Sequence, residues 1–158
     1  MTHPPHDNAR VIAPPPLIYL GFLAVGLAWH FGVANDPIPL DPPIRNTLAI
    51  VLGVAGVVPI VAALGGFRRA GTPPQPWEPT QAIVTTGIYG RTRNPMYLGM
   101  ALIYLALAFA LNSVAALILF VPAILFMEWG VIRREERYLT GKFGPVYTDY
   151  RHTVRRWL

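Results

Sequence analysis

The sequence has no cysteine and little charge. Of its 158 residues, 53% are hydrophobic and only 13% are charged, against roughly 25% charged residues in an ordinary soluble domain. The absence of cysteine excludes disulfides, thiolate nucleophiles and cysteine-ligated zinc sites. The scarcity of charge favours a membrane protein, because a helix that crosses the hydrocarbon core needs about 20 mostly apolar residues.

Four apolar runs are long enough, or nearly so, to cross a bilayer. They are Leu17–Ala34, Asn46–Phe67, Met96–Leu111 and Val114–Ile132. Only Asn112 and Ser113 separate the last two, so these helices must form an antiparallel hairpin. The sequence therefore predicts an all-α integral membrane protein with about four transmembrane helices. A signal peptide is the alternative for the first run, but bulky Trp29, His30 and Phe31 do not suit a cleavage site.

Acidic residues are also few: 8 Asp and Glu stand against 13 Lys and Arg, for a net charge of +5. If the four runs cross the membrane, every Lys and Arg except Arg45 lies on one side of it. The positive-inside rule assigns that side to the cytoplasm. We therefore expect cytoplasmic N- and C-termini in a bacterial inner membrane. Because topology explains the basic charge, the sequence predicts no binding of nucleic acid.

Composition divides the chain into three parts. Residues 1–16 are polar and rich in proline and predict a mobile tail, on which His3 and His6 are not expected to form a metal site. Residues 17–67 hold the first two predicted transmembrane helices. Residues 73–158 hold a cytoplasmic loop, the helical hairpin and the C-terminal helices. Apolar side chains near the C-terminus share one helix face, which is typical of an interfacial helix; lipid anchoring and a role in catalysis both remain open for it.

A polar cluster precedes the third apolar run. It contains two tyrosines, two arginines and an Asn-Pro pair: Tyr89, Arg91, Arg93, Asn94, Pro95 and Tyr97. Asn94 and Pro95 are typical of an N-cap and a first helical position. The free N–H groups and the positive end of the helix dipole then lie beside the arginines, where they can bind an anion.

A second cluster, Arg133–Glu136, follows the fourth run. Because the hairpin is antiparallel, we expect the two clusters to meet at one membrane surface. A solvated charged turn is the alternative. Glu128 favours the functional interpretation, because a carboxylate inside an apolar run is costly and usually has a partner.

These residues resemble the isoprenylcysteine carboxyl methyltransferase family, which is related to the phospholipid methyltransferases of membranes. The similarity covers about residues 73–158. It consists of the string GxYxxxRNPxYLG, an Asn at the hairpin tip, and then EExxLxxxFGxxYxxYxxxVRR. The resemblance implies an enzyme dependent on S-adenosyl-L-methionine, with the cofactor at the cytoplasmic end of the helices. The sequence has no G-x-G-x-x-G after a strand pattern, which would indicate a soluble type of nucleotide site.

The resemblance also implies site residues. The implied cofactor-binding residues are Gly87, Ile88, Tyr89, Arg93, Asn94, Pro95, Tyr97, Leu98, Asn112 and Glu136. The resemblance also places Glu135 in the pocket. The predicted catalytic residues are Glu135 and the nearest cations, Arg133 and Arg134. Two positions depart from the prenylcysteine enzymes: Asn94 stands where they commonly have His, and Val131 where they tend to have Arg.

The implied acceptor is a lipophilic or small molecule that reaches the site from the lipid bilayer. A carboxylate acceptor needs an arginine to hold it, whereas an amine or thiol needs a base such as Glu135 or Glu136. The alternatives are a phospholipid N-methyltransferase and a non-catalytic membrane scaffold or sensor that keeps the fold. The sequence predicts no metal site and carries no signal for an oligomeric state.

Overall fold

The structure is a computed structural model and describes residues 7–158; residues 1–6, with His3 and His6, lie outside the described part of the chain. Every regular element in the described part is helical, which confirms the predicted all-α class. The α-helices are α1 (Pro15–Trp29), α2 (Pro42–Ala70), α3 (Pro95–Ala110), α4 (Val114–Met127), α5 (Arg133–Phe143) and α6 (Pro145–Thr153). Shorter elements are the π-helical turns His30–Ala34 and Glu128–Ile132 and the 3-10 turn Gly87–Gly90.

Three continuous helical segments are long and apolar enough to cross a membrane: Pro15–Ala34, Pro42–Ala70 and Val114–Phe143. With 16 residues, α3 is about 24 Å long, somewhat less than the hydrocarbon core of about 30 Å. It completes a bundle of four apolar helices. The segment from Val114 is longer than a crossing requires. Its apolar part ends at Ile132, and the charged α5 continues beyond it.

The four helices pack mainly as two pairs, α2 with α3 and α1 with α4. Where α2 meets α3, a Cβ atom at Gly56 would lie 2.7 Å from the Gly99 carbonyl oxygen, and one at Gly99 would lie 2.5 Å from the Gly56 oxygen. Where α1 meets α4, a Cβ at Gly26 would lie 2.7 Å from the Ala116 Cα. Small residues at these positions let the backbones touch, as is common between membrane helices.

The predicted hairpin of α3 and α4 is confirmed, with its turn at Asn112 and Ser113. Asn112 has a φ of 59°, and the Ser113 hydroxyl caps α4 by accepting a hydrogen bond from Ala116 N. Asn112 Oδ1 also accepts a hydrogen bond of 3.0 Å from Ile38 N. This end of the bundle is thereby fixed to the loop between α1 and α2, about 24 Å from the first residue of α3.

The segment before α1 is held by the helices. Ala9 is buried, and its N–H donates to the Pro76 carbonyl at 3.3 Å. Ile12 N donates to the Gly130 carbonyl at 3.1 Å. Within the segment for which the sequence predicts a mobile tail, these two backbone N–H groups therefore find acceptors in a loop and a π-helical turn.

Candidate active site

A cavity lies where α2 ends, α3 begins, and α5 and α6 come together. About 760 Å³ of it is free of protein atoms, and part of this space is open to solvent. Its walls are the end of α2, the proline-rich loop after α2, the start of α3, and one face each of α5 and α6. The polar and aromatic lining residues include Gln75, Thr80, Tyr89, Arg93, Asn94, Tyr97, Glu135, Glu136, Tyr147 and Tyr150.

The start of α3 is fixed by the C-terminal segment of the chain. Pro95 is the first residue of α3 and Asn94 its N-cap, as predicted, but the Asn94 side chain makes no capping hydrogen bond. Its Nδ2 instead donates to the Arg156 carbonyl at 3.0 Å. The Thr92 hydroxyl donates to the same carbonyl at 3.1 Å. These bonds set the position of Arg93, which lies between Thr92 and Asn94.

Five charged residues form one connected cluster beside the cavity. Arg156 donates to both oxygens of Glu136, from Nε at 2.9 Å and Nη2 at 2.6 Å, and Arg93 Nη1 lies 2.8 Å from Glu136 Oε1. Glu128 Oε1 accepts from Arg156 Nη1 at 2.5 Å and from Arg133 Nε at 3.0 Å. The side chains of Arg93 and Glu136 are only 10% and 8% exposed. Glu128 therefore has the partner that its place in an apolar run predicts.

Glu135 lines the same cavity. It lies past the apolar part of α4, and its Oε1 accepts a hydrogen bond of 2.8 Å from the Tyr97 hydroxyl. Burial raises the pKa of Glu135 to about 7; the hydrogen bond from Tyr97 opposes this shift and the charge of Glu136 adds to it. A carboxyl group with a pKa near 7 can accept and release a proton at neutral pH, as a general base must.

Four tyrosines line the cavity: Tyr89, Tyr97, Tyr147 and Tyr150. The Tyr150 hydroxyl donates to the Tyr89 carbonyl at 2.7 Å and so fixes α6 to the 3-10 turn. Burial raises the pKa of Tyr147 to about 12, and it holds the pKa of Tyr89 and of Tyr150 well above the ordinary tyrosine value. These side chains are therefore neutral at physiological pH, and the faces of such rings attract cations.

A family model described as phospholipid methyltransferase matches residues 44–146, more than half of the chain. The chain belongs to this family. The family contains membrane methyltransferases, including the isoprenylcysteine carboxyl methyltransferases. An uncharacterised protein of Haemophilus influenzae is 43% identical over 63 residues, which are 40% of this chain and 100% of that protein. No solved structure matches the chain.

In this member of the phospholipid methyltransferase family, the cavity brings together most of the predicted site residues. Those that line it are Tyr89, Arg93, Asn94, Pro95, Tyr97, Glu135 and Glu136. Gly87 and Ile88 lie just before them in the 3-10 turn, which Gly87 begins with a φ of 64°. Leu98 lies within α3. Gly87, Ile88 and Leu98 belong to elements that build the cavity, but these three residues themselves do not line it.

Three of the predicted residues lie elsewhere. Asn112 is at the far end of the hairpin from Arg93 and does not line the cavity. Arg133 and Arg134 do not line the cavity that Glu135 lines. The helix face toward the cavity carries Ile132, at the end of the π-helical turn, and Glu135, Glu136 and Leu139 of α5. This helical spacing leaves positions 133 and 134 off that face. Arg133 pairs with Glu128, and Arg134 Nη1 donates to the Arg10 carbonyl at 3.1 Å.

The sequence alone does not indicate the roles of Arg156, Tyr147 and Tyr150. Arg156 is the last residue of the C-terminal motif, but the motif does not indicate that its side chain joins Glu128 to Glu136. The spacing of the two tyrosines predicts a shared helix face, which is correct. It does not indicate that this face covers a cavity, where both rings are buried.

Proposed function

We propose that this protein is an integral-membrane methyltransferase that uses S-adenosyl-L-methionine and methylates a lipophilic or small acceptor. One observation carries the proposal. In a chain of a membrane methyltransferase family, a single cavity at the end of the helical hairpin combines a buried arginine, four tyrosine rings and the raised-pKa carboxyl of Glu135.

The lining suits a cofactor that has anionic, cationic and aromatic parts. Arg93 Nε is buried and has no hydrogen-bond acceptor among residues 7–158, so it is available to a carboxylate. The first N–H groups of α3 lie beside it and also favour an anion. The tyrosine faces suit a sulfonium ion. When bound, S-adenosyl-L-methionine supplies an activated methyl group for an in-line displacement.

The residues of the chain then have to align the acceptor, exclude water and, for some acceptors, remove a proton. Glu135 is placed to take the proton of an amine or a thiol, and the Tyr97 hydroxyl holds its carboxylate in position. A carboxylate acceptor needs a cation of its own. Arg93 pairs with Glu136 through Nη1 and is assigned to the cofactor through Nε, and among residues 7–158 no other arginine lines the cavity. The cavity therefore favours an amine or thiol acceptor, and with it phospholipid N-methylation over methylation of a prenylcysteine carboxylate.

Cofactor binding is the first test. We expect S-adenosylhomocysteine to bind the purified protein in detergent. Tyr89→Ala should weaken this binding about tenfold or more, because a stacked ring contributes on the order of 1–3 kcal/mol. Asn94→Ala should weaken it by a similar factor, on the order of tenfold, because Asn94 fixes the position of Arg93. Isothermal titration calorimetry measures the affinities. Asn112→Ala is the matched control, because its amide lies at the far end of the hairpin and its loss should leave the affinity unchanged.

Unchanged affinity in both the Tyr89 and Asn94 variants would remove these residues from the cofactor site. Passage of labelled methyl groups from the cofactor to a lipid extract separates an enzyme from a non-catalytic scaffold or sensor that only binds the cofactor.

We also propose that both ends of the chain face the cytoplasm of a bacterial cell. Among Lys and Arg, Arg45 alone lies at the opposite end of the bundle from the cavity, and the positive-inside rule places the cation-rich end in the cytoplasm. A tag at the C-terminus should resist protease added to spheroplasts, whereas a tag in the loop 35–41 should be cut. Cleavage of the C-terminal tag alone would reverse the orientation.

A further inference from the structure

A second, more open space lies next to the cavity, on another side of α5. It is lined by four arginines, Arg133, Arg137, Arg151 and Arg156, together with Trp129 and Glu136. We call this space the arginine groove. Glu136 borders both the groove and the cavity, so the two spaces are neighbours with different linings.

The groove carries positive charge that the acidic residues among positions 7–158 do not fully neutralise. Arg133 and Arg156 are paired with carboxylates, but no ion pair joins Arg137 or Arg151 to an acid in the described part of the chain. Their hydrogen bonds go to neutral oxygens, from Arg137 Nε to the Arg133 carbonyl at 3.3 Å and from Arg151 Nη1 to the Thr140 hydroxyl at 3.4 Å. Both side chains are exposed, so most of their donors face the open groove.

Trp129 sets the level of the groove relative to the membrane. Trp129 lies in the π-helical turn that follows α4 and is 53% exposed, and the Arg133 guanidinium lies 5.5 Å from the ring centroid. Tryptophan prefers the headgroup level of a bilayer. The groove therefore opens at the level of lipid phosphates.

An apolar surface leads from the bilayer to the groove. Ile118, Val121 and Leu125 are exposed on α4, and their spacing of three and four residues puts them on one helix face. Trp129 follows Leu125 by four residues and continues this face to the arginines. An acyl chain lying along it would bring a headgroup to the groove.

We propose that the arginine groove binds the phosphate group of a membrane lipid. A guanidinium presents a planar fork of donors that matches two phosphate oxygens, and Arg137 and Arg151 offer two such forks from different helices. The site goes beyond the proposed function, because it requires neither the cofactor nor methyl transfer. It also differs from general attraction between a basic surface and anionic lipid, since it should saturate and depend on these two arginines.

The test titrates dihexanoyl phosphatidylglycerol, a short-chain lipid that stays dispersed, into the purified protein and measures affinity by calorimetry. We expect saturable binding that the double variant Arg137→Gln/Arg151→Gln weakens about tenfold or more. The matched control is Arg68→Gln/Arg69→Gln, which removes two exposed cations from the same end of the bundle outside the groove. Its affinity should stay within about twofold of wild type, because screening limits the reach of exposed charges to roughly 10 Å.

Equal weakening in the two double variants would overturn the proposal, because it would show general charge attraction. Absence of saturable binding would overturn it as well. Inorganic phosphate, titrated alone, separates the two sources of the phosphate group: weaker binding than the lipid supports a lipid site, and equal affinity overturns the role of the lipid. The thermal unfolding midpoints of the variants, which should match wild type, verify that the exposed substitutions leave the fold intact.

Discussion

Glu136→Gln should lower the thermal unfolding midpoint of the purified protein by roughly 10 °C. Glu136 is nearly buried and lies within 2.9 Å of donors from both Arg93 and Arg156. Removing one partner of a buried ion pair leaves a buried charge without compensation, which costs about 3–5 kcal/mol. We expect the lower end of this range, because Arg156 is partly exposed and keeps its contact with Glu128.

The control for this change is Glu78→Gln. Glu78 is exposed in the loop after α2, so its loss should alter the unfolding free energy by less than about 0.5 kcal/mol. The double variant Arg93→Met/Glu136→Leu should recover much of the lost stability, because apolar side chains can replace a buried pair at little cost. An unfolding midpoint of Glu136→Gln equal to that of Glu78→Gln would contradict the assigned role of the charge cluster.

The charge cluster also explains how the cavity keeps its shape. Arg93 comes from the start of α3, Glu136 from α5 and Arg156 from the C-terminal segment, so one carboxylate joins three parts of the chain. The Glu136→Gln variant should therefore lose affinity for S-adenosylhomocysteine together with stability. This joint loss is the behaviour expected of a residue that positions the site.

Much of the fold could be predicted because a bilayer imposes strong rules on sequence. A crossing helix must be long and apolar, and a two-residue break at Asn112 forces a hairpin. The pairing of helices could not be predicted in the same way. Gly56 indicates a close helix contact, but only the folded chain shows that its partner is Gly99. Likewise, nothing in the composition of the N-terminal segment indicates that Ala9 bonds to the loop after α2.

The site was predictable where its residues form a continuous motif. Tyr89, Arg93 and Tyr97 are close in sequence and are all brought to the cavity by one turn and the start of one helix. Sequence adjacency does not place Arg133 on the same side as Glu135, because neighbouring residues on a helix face different directions. Arg156 could not be assigned, since its position depends on hydrogen bonds from Thr92 and Asn94 to its own carbonyl.

Glu135→Gln should have the opposite effect to Glu136→Gln: turnover should fall on the order of 10²-fold or more, while stability is retained. The amide oxygen of Gln can still accept the hydrogen bond from Tyr97, but the amide cannot take a proton. The folded state holds the pKa of Glu135 at about 7, against an ordinary value of 4.5. The ionised carboxylate is thus disfavoured in the folded state, so stability falls as the pH rises from about 4.5 through 7. Because Gln carries no charge, the variant should be at least as stable as wild type at pH 8.

The decisive comparison measures labelled methyl transfer to a lipid extract and thermal unfolding, in both variants and in wild type, from pH 5.5 to 8.5. For the wild type, kcat/KM should rise with pH and level off above about 7, because the free enzyme must hold Glu135 ionised to act as a base. The Glu135→Gln variant should lose this rise along with most of its rate. A variant with normal rate would exclude Glu135 as the base, and equal losses of rate and stability would assign it a structural role. A pH rise that persists unchanged in Glu135→Gln would place the essential proton acceptor on another group.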